Sequence, residues 1–167
     1  MNFYQEICKL KHVLRRGFII KKTPGRIESD AEHCFSFIML ALEIMSKNNL
    51  KLDQLKVIKM IAYHELGEID AGDITIHDNV PKEEKYQKEL ACIERLAKEY
   101  NMPEIKDLWI EFEENKTPEA KFVKLLDRYD AVLYAEVIKD TINFPSPFEE
   151  FVRVYEKEFK KGNKFKR

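Results

Sequence analysis

Glycine and proline are scarce: the 167 residues contain 5 and 6 of them. A turn-rich β-sandwich needs more punctuation than that, so the shortage points to long helices. No run approaches the ~20 consecutive apolar residues of a membrane helix. Cysteine is scarce as well. Cys8, Cys34 and Cys92 are odd in number and far apart, and no pair has finger or redox spacing. They read as reduced thiols, and the chain therefore as cytoplasmic. Neither sign of charge is in excess: 29 Lys and Arg face 30 Asp and Glu. No global field then draws the chain onto nucleic acid or an anionic membrane. The opening stretch MNFYQEICKLKHVLRR is interrupted by charges and lacks the apolar core of a signal peptide.

What is present suits a compact helical protein. Hydrophobic residues make up 44% of the chain, enough for one core, and the expectation is a single domain over residues 1–167. About seven helical segments are separated by short polar breaks. Phe3, Ile7, Leu10 and Leu14 have helical spacing and predict an amphipathic helix over 3–14. Gly17, Pro24 and Gly25 make 15–28 irregular. Ser29 and Glu32 form a capping-box pattern opening a helix to about Lys47. Asp53 caps a helix predicted to run to about Ile69, followed by a loop from Asp70 to Val80 that contains Gly72. Pro81, Pro103 and Pro118 suit first turns, the last preceded by Thr117. Ser146 and Glu149 form a capping box for a final helix. The six cations among the last eleven residues read as a solvated helix end rather than a phosphate-binding tail.

Only four histidines occur, so each can be weighed. His64 lies beside an apolar stripe of Ile58, Ile61, Ala62, Leu66 and Ile69, with Glu65 adjacent and Glu68 at i+4. On one continuous helix, His64 and Glu68 leave the same face, and Glu65 points about 100° away. A histidine and two carboxylates near an apolar face cost free energy to desolvate unless paired or metal-bound. An ordinary core histidine bonded to a carboxylate is the simpler alternative. His33 opens a helix beside Phe35, Phe37, Ile38 and Leu40, where it is either packed or able to meet a ligand at the helix mouth. Asp127 interrupts the run Ala120, Val123, Ala131 and Tyr134, although Leu126 can share the inward face and leave Asp127 exposed. An imidazole, an imidazole with a carboxylate, and a carboxylate on three helices would suit Mn²⁺, Co²⁺, Fe²⁺, Ni²⁺ or Zn²⁺, without choosing among them.

Five blocks carry a resemblance. They are Arg26-Ile27-Glu28-Ser29 leading to Glu32-His33; His64-Glu65; Glu68 with Gly72-Asp73-Ile74; Asp78-Asn79-Val80-Pro81-Lys82-Glu83-Glu84-Lys85; and Ala120-Lys121-Phe122-Val123-Lys124-Leu125-Leu126-Asp127. Over about residues 10 to 140 the chain resembles the HD-domain metal-dependent phosphohydrolases, and within them the small 5'-deoxynucleotidases. The resemblance implies an all-α HD-type bundle holding one divalent metal on His33, His64, Glu65 and Asp127. The family usually has His-Asp where this chain has His64-Glu65. The literal His77-Asp78 pair falls in a loop and matches another position. His77 reads as exposed, and His12 as structural.

The resemblance further implies that Glu68 orients or activates water. Arg15 binds phosphate, with Arg16 as the alternative, and Asp73 contacts the nucleotide and protonates the leaving group. The expected partner is a small nucleotide, and the expected assembly a homodimer. The expected reaction is hydrolysis of (deoxy)nucleoside 5'-monophosphates to nucleoside and phosphate. Alternatives are a triphosphohydrolase, a nucleotide-binding regulator without turnover and a helical scaffold with incidental buried polar groups.

Overall fold

The computed structural model describes residues 2–17, 26–75 and 77–138. Among these residues there are six helices of five residues or more, one single-turn helix and no strand. They are α1 (Phe3–Ile7), α2 (Asp30–Asn48), α3 (Gln54–Tyr63), the single turn α4 (Glu68–Ala71), α5 (Lys82–Glu99), α6 (Pro103–Glu114) and α7 (Pro118–Ile138). The expected helix at Ser146 lies outside the described residues.

Helix starts follow the capping chemistry. The Ser29 backbone N–H donates to Glu32 Oε2 at 2.9 Å, and Glu32 N–H donates back to Ser29 Oγ. Each satisfies a donor the first turn would otherwise leave orphaned. Asp53 accepts from Lys56 N–H at 3.0 Å, Thr117 Oγ1 accepts from Ala120 N–H at 3.2 Å, and Pro103 sits in the first turn of α6.

Two expectations are corrected. The first helix ends at Ile7 and tightens into a 3₁₀ turn, Cys8–Lys11, while Leu14 is exposed. Beyond that turn the chain makes an isolated bridge, Leu14 with Ser29. Arg15 N–H donates to Glu28 O and Asp30 N–H to Val13 O, which sets Arg15 beside the start of α2.

The second correction matters more. The helix predicted to reach Ile69 stops at Tyr63. Residues 64–67 are successive turns, with i→i+3 bonds from Leu66 N–H to Tyr63 O and from Glu68 N–H to Glu65 O. Gly67 permits this tight path. A Cβ there would lie 2.7 Å from Glu89 Cβ, so only glycine lets the turn press against α5. Gly72 then leaves α4 at φ +70°, a conformation glycine adopts without a Cβ penalty.

The helices pack around two apolar clusters. Phe37 and Ile44 of α2, Met60 and Ile61 of α3, Phe112 of α6 and Phe122 and Leu126 of α7 form the larger one. Leu10, Leu66, Ile93, Leu96 and Trp109 centre the second, which joins the N-terminal turns to α5 and α6. Burying a side chain of this kind contributes roughly 1.5–3 kcal/mol, so these faces rather than helix propensity hold the bundle. No helix among the described residues is long and apolar enough to cross a membrane.

Candidate metal centre

The site is built on the larger cluster. The His64 ring stands edge-on to Phe37 and Phe112, with centroids 5.6 and 5.4 Å away, and His33 lies 5.5 Å from both Phe37 and His64. Helix α2 supplies His33 from its first turn, the break after α3 supplies His64 and Glu65, and α7 supplies Asp127. Because the segment is a run of turns, the side chains of His64 and Glu65 converge instead of splaying by 100°. Glu65 Oε1 is 3.3 Å from His64 Nε2. His64 and Glu68 therefore do not lie on one continuous helix.

One atom from each of His33, His64, Glu65 and Asp127 lies within 4.8 Å of all the others. His33 Nε2 is 3.2 Å from Asp127 Oδ1 and 3.7 Å from Glu65 Oε1; His64 Nε2 is 3.9 Å from Asp127 Oδ1. Ligand atoms on a sphere of about 2.1 Å radius sit roughly 3.0 to 4.2 Å apart, so these spacings match a shared ion. Both Nε2 atoms and Asp127 Oδ1 are buried without a hydrogen-bond partner. Buried polar atoms rarely go unpaired, and here the unpaired ones face one another. The ring nitrogens are oriented for this. His64 Nδ1 donates to Ile61 O at 2.7 Å and His33 Nδ1 to Asp130 Oδ2 at 2.9 Å, both acceptors only, so in a neutral ring the free lone pair is on Nε2.

The electrostatics are those of a dense charge cluster. Burial opposes charge on both imidazoles. Carboxylates nevertheless raise both pKa values: Glu65 for His64, Asp127 and Asp130 for His33. Burial also works against the Glu65 carboxylate, but His64 and Arg15 hold it well below the usual range. Arg15 forms an ion pair with Glu65 and lies 3.8 Å from Asp127. Burial and the charges of Glu65 and Asp30 push Glu68 up to about 12. A cation held by the cluster would offset the part of that shift that comes from Glu65 and Asp30.

The remaining sequence candidates fall around this set. Arg15 borders the ligands, whereas Arg16 is committed to the loop after α4. It pairs with Asp78 at 2.7 Å, its Nη1 donates to Asp73 O, and its backbone N–H donates to Asp73 Oδ2. Lys85 of the Asp78–Lys85 block donates to Ile74 O at 2.8 Å and lies 3.8 Å from Glu68 Oε1. His77 and His12 are exposed and join no cluster among the described residues.

Three buried acids around the candidate ligands escaped the sequence reading. Asp130 is one turn beyond Asp127, and that i+3 spacing was the available signal. Glu28 stood in a matching string but had no assigned role, and burial raises it to about 7. Asp30 is fully buried with neither carboxylate oxygen hydrogen-bonded, and burial raises it to about 7.

A helical bundle that converges two imidazoles and two carboxylates from α2, the break after α3, and α7 defines a class: helical proteins with a mixed nitrogen and oxygen cluster able to hold a metal. Comparison with known families narrows this. The HD domain model matches residues 7–165, and the chain belongs to that family. It is 34% identical over 143 residues to 5'-deoxynucleotidase HDDC2 of Dictyostelium discoideum, an alignment covering 81% of this chain and 75% of that one. It is 30% identical over 154 residues to 5'-deoxynucleotidase HDDC2 of Homo sapiens, covering 90% and 74%. A crystal structure from Magnetospirillum magnetotacticum MS-1, described as a predicted metal-dependent phosphohydrolase, superimposes with a TM-score of 0.64 at 30% identity, covering 92% of this chain and 80% of that one.

Proposed function

We propose that this chain is a metal-dependent phosphohydrolase that converts deoxynucleoside 5'-monophosphates to nucleoside and phosphate. The observation carrying this reading is the set of four donor atoms at metal-ligand spacing, three of them buried and unpaired. The curated relatives named 5'-deoxynucleotidase support the substrate class. His33, His64, Glu65 and Asp127 would hold one divalent ion, which when bound supplies Lewis acidity and lowers the pKa of a water. The number of ions and their identity belong to this proposal.

The protein's own groups do the rest. Arg15 offers a planar fork of donors to phosphate oxygens and neutralises their charge. It borders the ligand set, which favours it over Arg16, whose guanidinium is tied to Asp78. Glu68 orients the attacking water and accepts its proton. Asp73, held by Arg16, contacts the nucleotide and is the candidate to protonate the leaving 5' oxygen. Glu65 is a ligand despite its extra methylene, because the turn at 64–67 brings its Oε1 to the imidazoles.

The test is a panel of deoxy- and ribonucleoside monophosphates assayed with Mn²⁺, Co²⁺, Fe²⁺, Ni²⁺ and Zn²⁺, alongside His64→Ala and Arg15→Lys. Phosphate release lost with metal in His64→Ala, and reduced with metal retained in Arg15→Lys, is expected. No release with any metal and substrate, or full activity in His64→Ala, refutes the reading.

A further inference from the structure

We infer that Asp130 is the positioning residue for His33: it holds the imidazole as the Nδ1–H form and aims Nε2 at the ligand set. The inference rests on the metal reading above but has a test that does not.

Helix α7 grips one ring from both sides. Asp127 Oδ1 stands 3.2 Å from His33 Nε2, and one turn later Asp130 Oδ2 stands 2.9 Å from Nδ1. His33 is fully buried and Asp130 6% exposed, so water does not compete for either. The two contacts differ in kind. The Nδ1 contact is an aligned hydrogen bond, whereas Nε2 has no hydrogen-bond partner. An ionised carboxylate can only accept, so a neutral His33 keeps its one aligned bond only with the proton on Nδ1 and the lone pair on Nε2. The other tautomer would give up that bond for an Nε2–H facing Asp127, a contact outside hydrogen-bond geometry. Glu28 Oε1 reinforces the choice, since it lies 3.9 Å from Nδ1 and is otherwise unpartnered.

Asp130 also makes the two ligating histidines unequal. His64 Nδ1 donates to a neutral carbonyl, Ile61 O, while His33 Nδ1 donates to a carboxylate. A carboxylate on the far nitrogen pushes electron density towards Nε2 and makes it a stronger donor. His33, not His64, is then the ligand most dependent on a distant partner. Glu28, His33 and Asp130 also bring donor atoms within 4.8 Å of one another, but a cation held there would need Nδ1, which the Asp130 bond occupies.

The test uses ¹⁵N-histidine-labelled protein, metal-free and alkaline enough for neutral imidazoles, and reads the His33 tautomer by NMR. The expected signature is protonated Nδ1 and unprotonated Nε2. Mn²⁺ affinity is then measured for wild type, Asp130→Ala and Asp130→Asn. Asn keeps a neutral acceptor, so it should keep the tautomer while binding more weakly. Ala should lose the single tautomer and roughly 10- to 100-fold in affinity. Should the Ala variant not fold, the Asn variant and the wild-type spectrum decide. A wild-type Nε2–H tautomer, or Mn²⁺ binding unchanged in a folded Asp130 variant, overturns the inference. The correct tautomer with no Mn²⁺ binding by wild type would instead sink the metal reading alone.

Discussion

The larger apolar cluster and the charged cluster touching it use the same helices for opposite ends. On α2, Phe37 and Ile44 are sealed among hydrocarbon, while His33 faces carboxylates; on α7, Val123 and Leu126 are sealed while Asp127 and Asp130 hold an imidazole. Phe37 and Phe112 belong to both, packing in the core and against the His64 ring. The apolar side depends on volume and responds gradually to its loss. The charged side depends on balance: each imidazole is matched to a carboxylate, so removing one charge strands another. Stability should therefore be governed on one side of Phe37 and chemistry on the other.

The largest expected effect on stability is at Phe122, which is fully buried in the larger cluster and outside the ligand set. Phe122→Ala should cost about 3–5 kcal/mol in urea denaturation. The folded fraction should bind metal as wild type does. A folded variant with lost metal would mean that the two neighbourhoods are not separable.

Glu68→Gln should do the reverse. It keeps shape and removes the basic carboxylate, so turnover should fall roughly 10²-fold or more, about 2.7 kcal/mol of barrier, with metal content retained. Stability should not fall, since the group is a buried acid pushed up to about 12. Unchanged kcat in the Gln variant would remove Glu68 from the chemistry.

The pH response of metal-free protein sharpens the contrast. Burial raises Glu28 and Glu89 to about 7, so each holds its proton in the folded state over a range where the unfolded chain has released it. Both histidines are raised as well, and their contribution is lost as pH climbs through the folded pKa. Every sign agrees: Tm of the metal-free protein should fall from about pH 5 to about pH 8. A divalent ion must displace imidazole protons, so the Tm gain on adding Mn²⁺ should grow over the same window. Calorimetric scans with and without the ion check both slopes. A flat metal-free profile would mean that the charged cluster is balanced differently.

The smallest effect is at Ser29. Ser29→Ala removes the cap of α2 and should cost about 1 kcal/mol by thermal melts. Metal affinity should drop slightly, because the same first turn carries His33; no change in either would mean that the Leu14–Ser29 bridge alone fixes the turn.

Helix identity, caps and ligand residue types were legible in the sequence because they are local: Ser29 with Glu32, Asp53 with Lys56 and Pro103 each act within one turn. The resemblance supplied the four candidate ligands, and the structure brings all four together. Three features depended on distance. The turns after Tyr63 press against α5 where Gly67 meets Glu89, a contact between residues far apart in sequence. Those turns, not a helix face, join Glu65 to His64. Arg15 and Arg16 are neighbours with equal chemistry, and only the chain's passage beside α2 sends one to Glu65 and the other to Asp78. Asp130 stands one turn beyond Asp127, a spacing that gains meaning only when α7 packs on α2 and its carboxylate meets Nδ1. The sequence by itself determined the helices, where they start and the donors they carry, because hydrogen bonding within a turn and apolar periodicity are short-range. Tertiary packing decided which charge meets which, because a buried ion pair exists only once two distant segments have excluded water from the space between them.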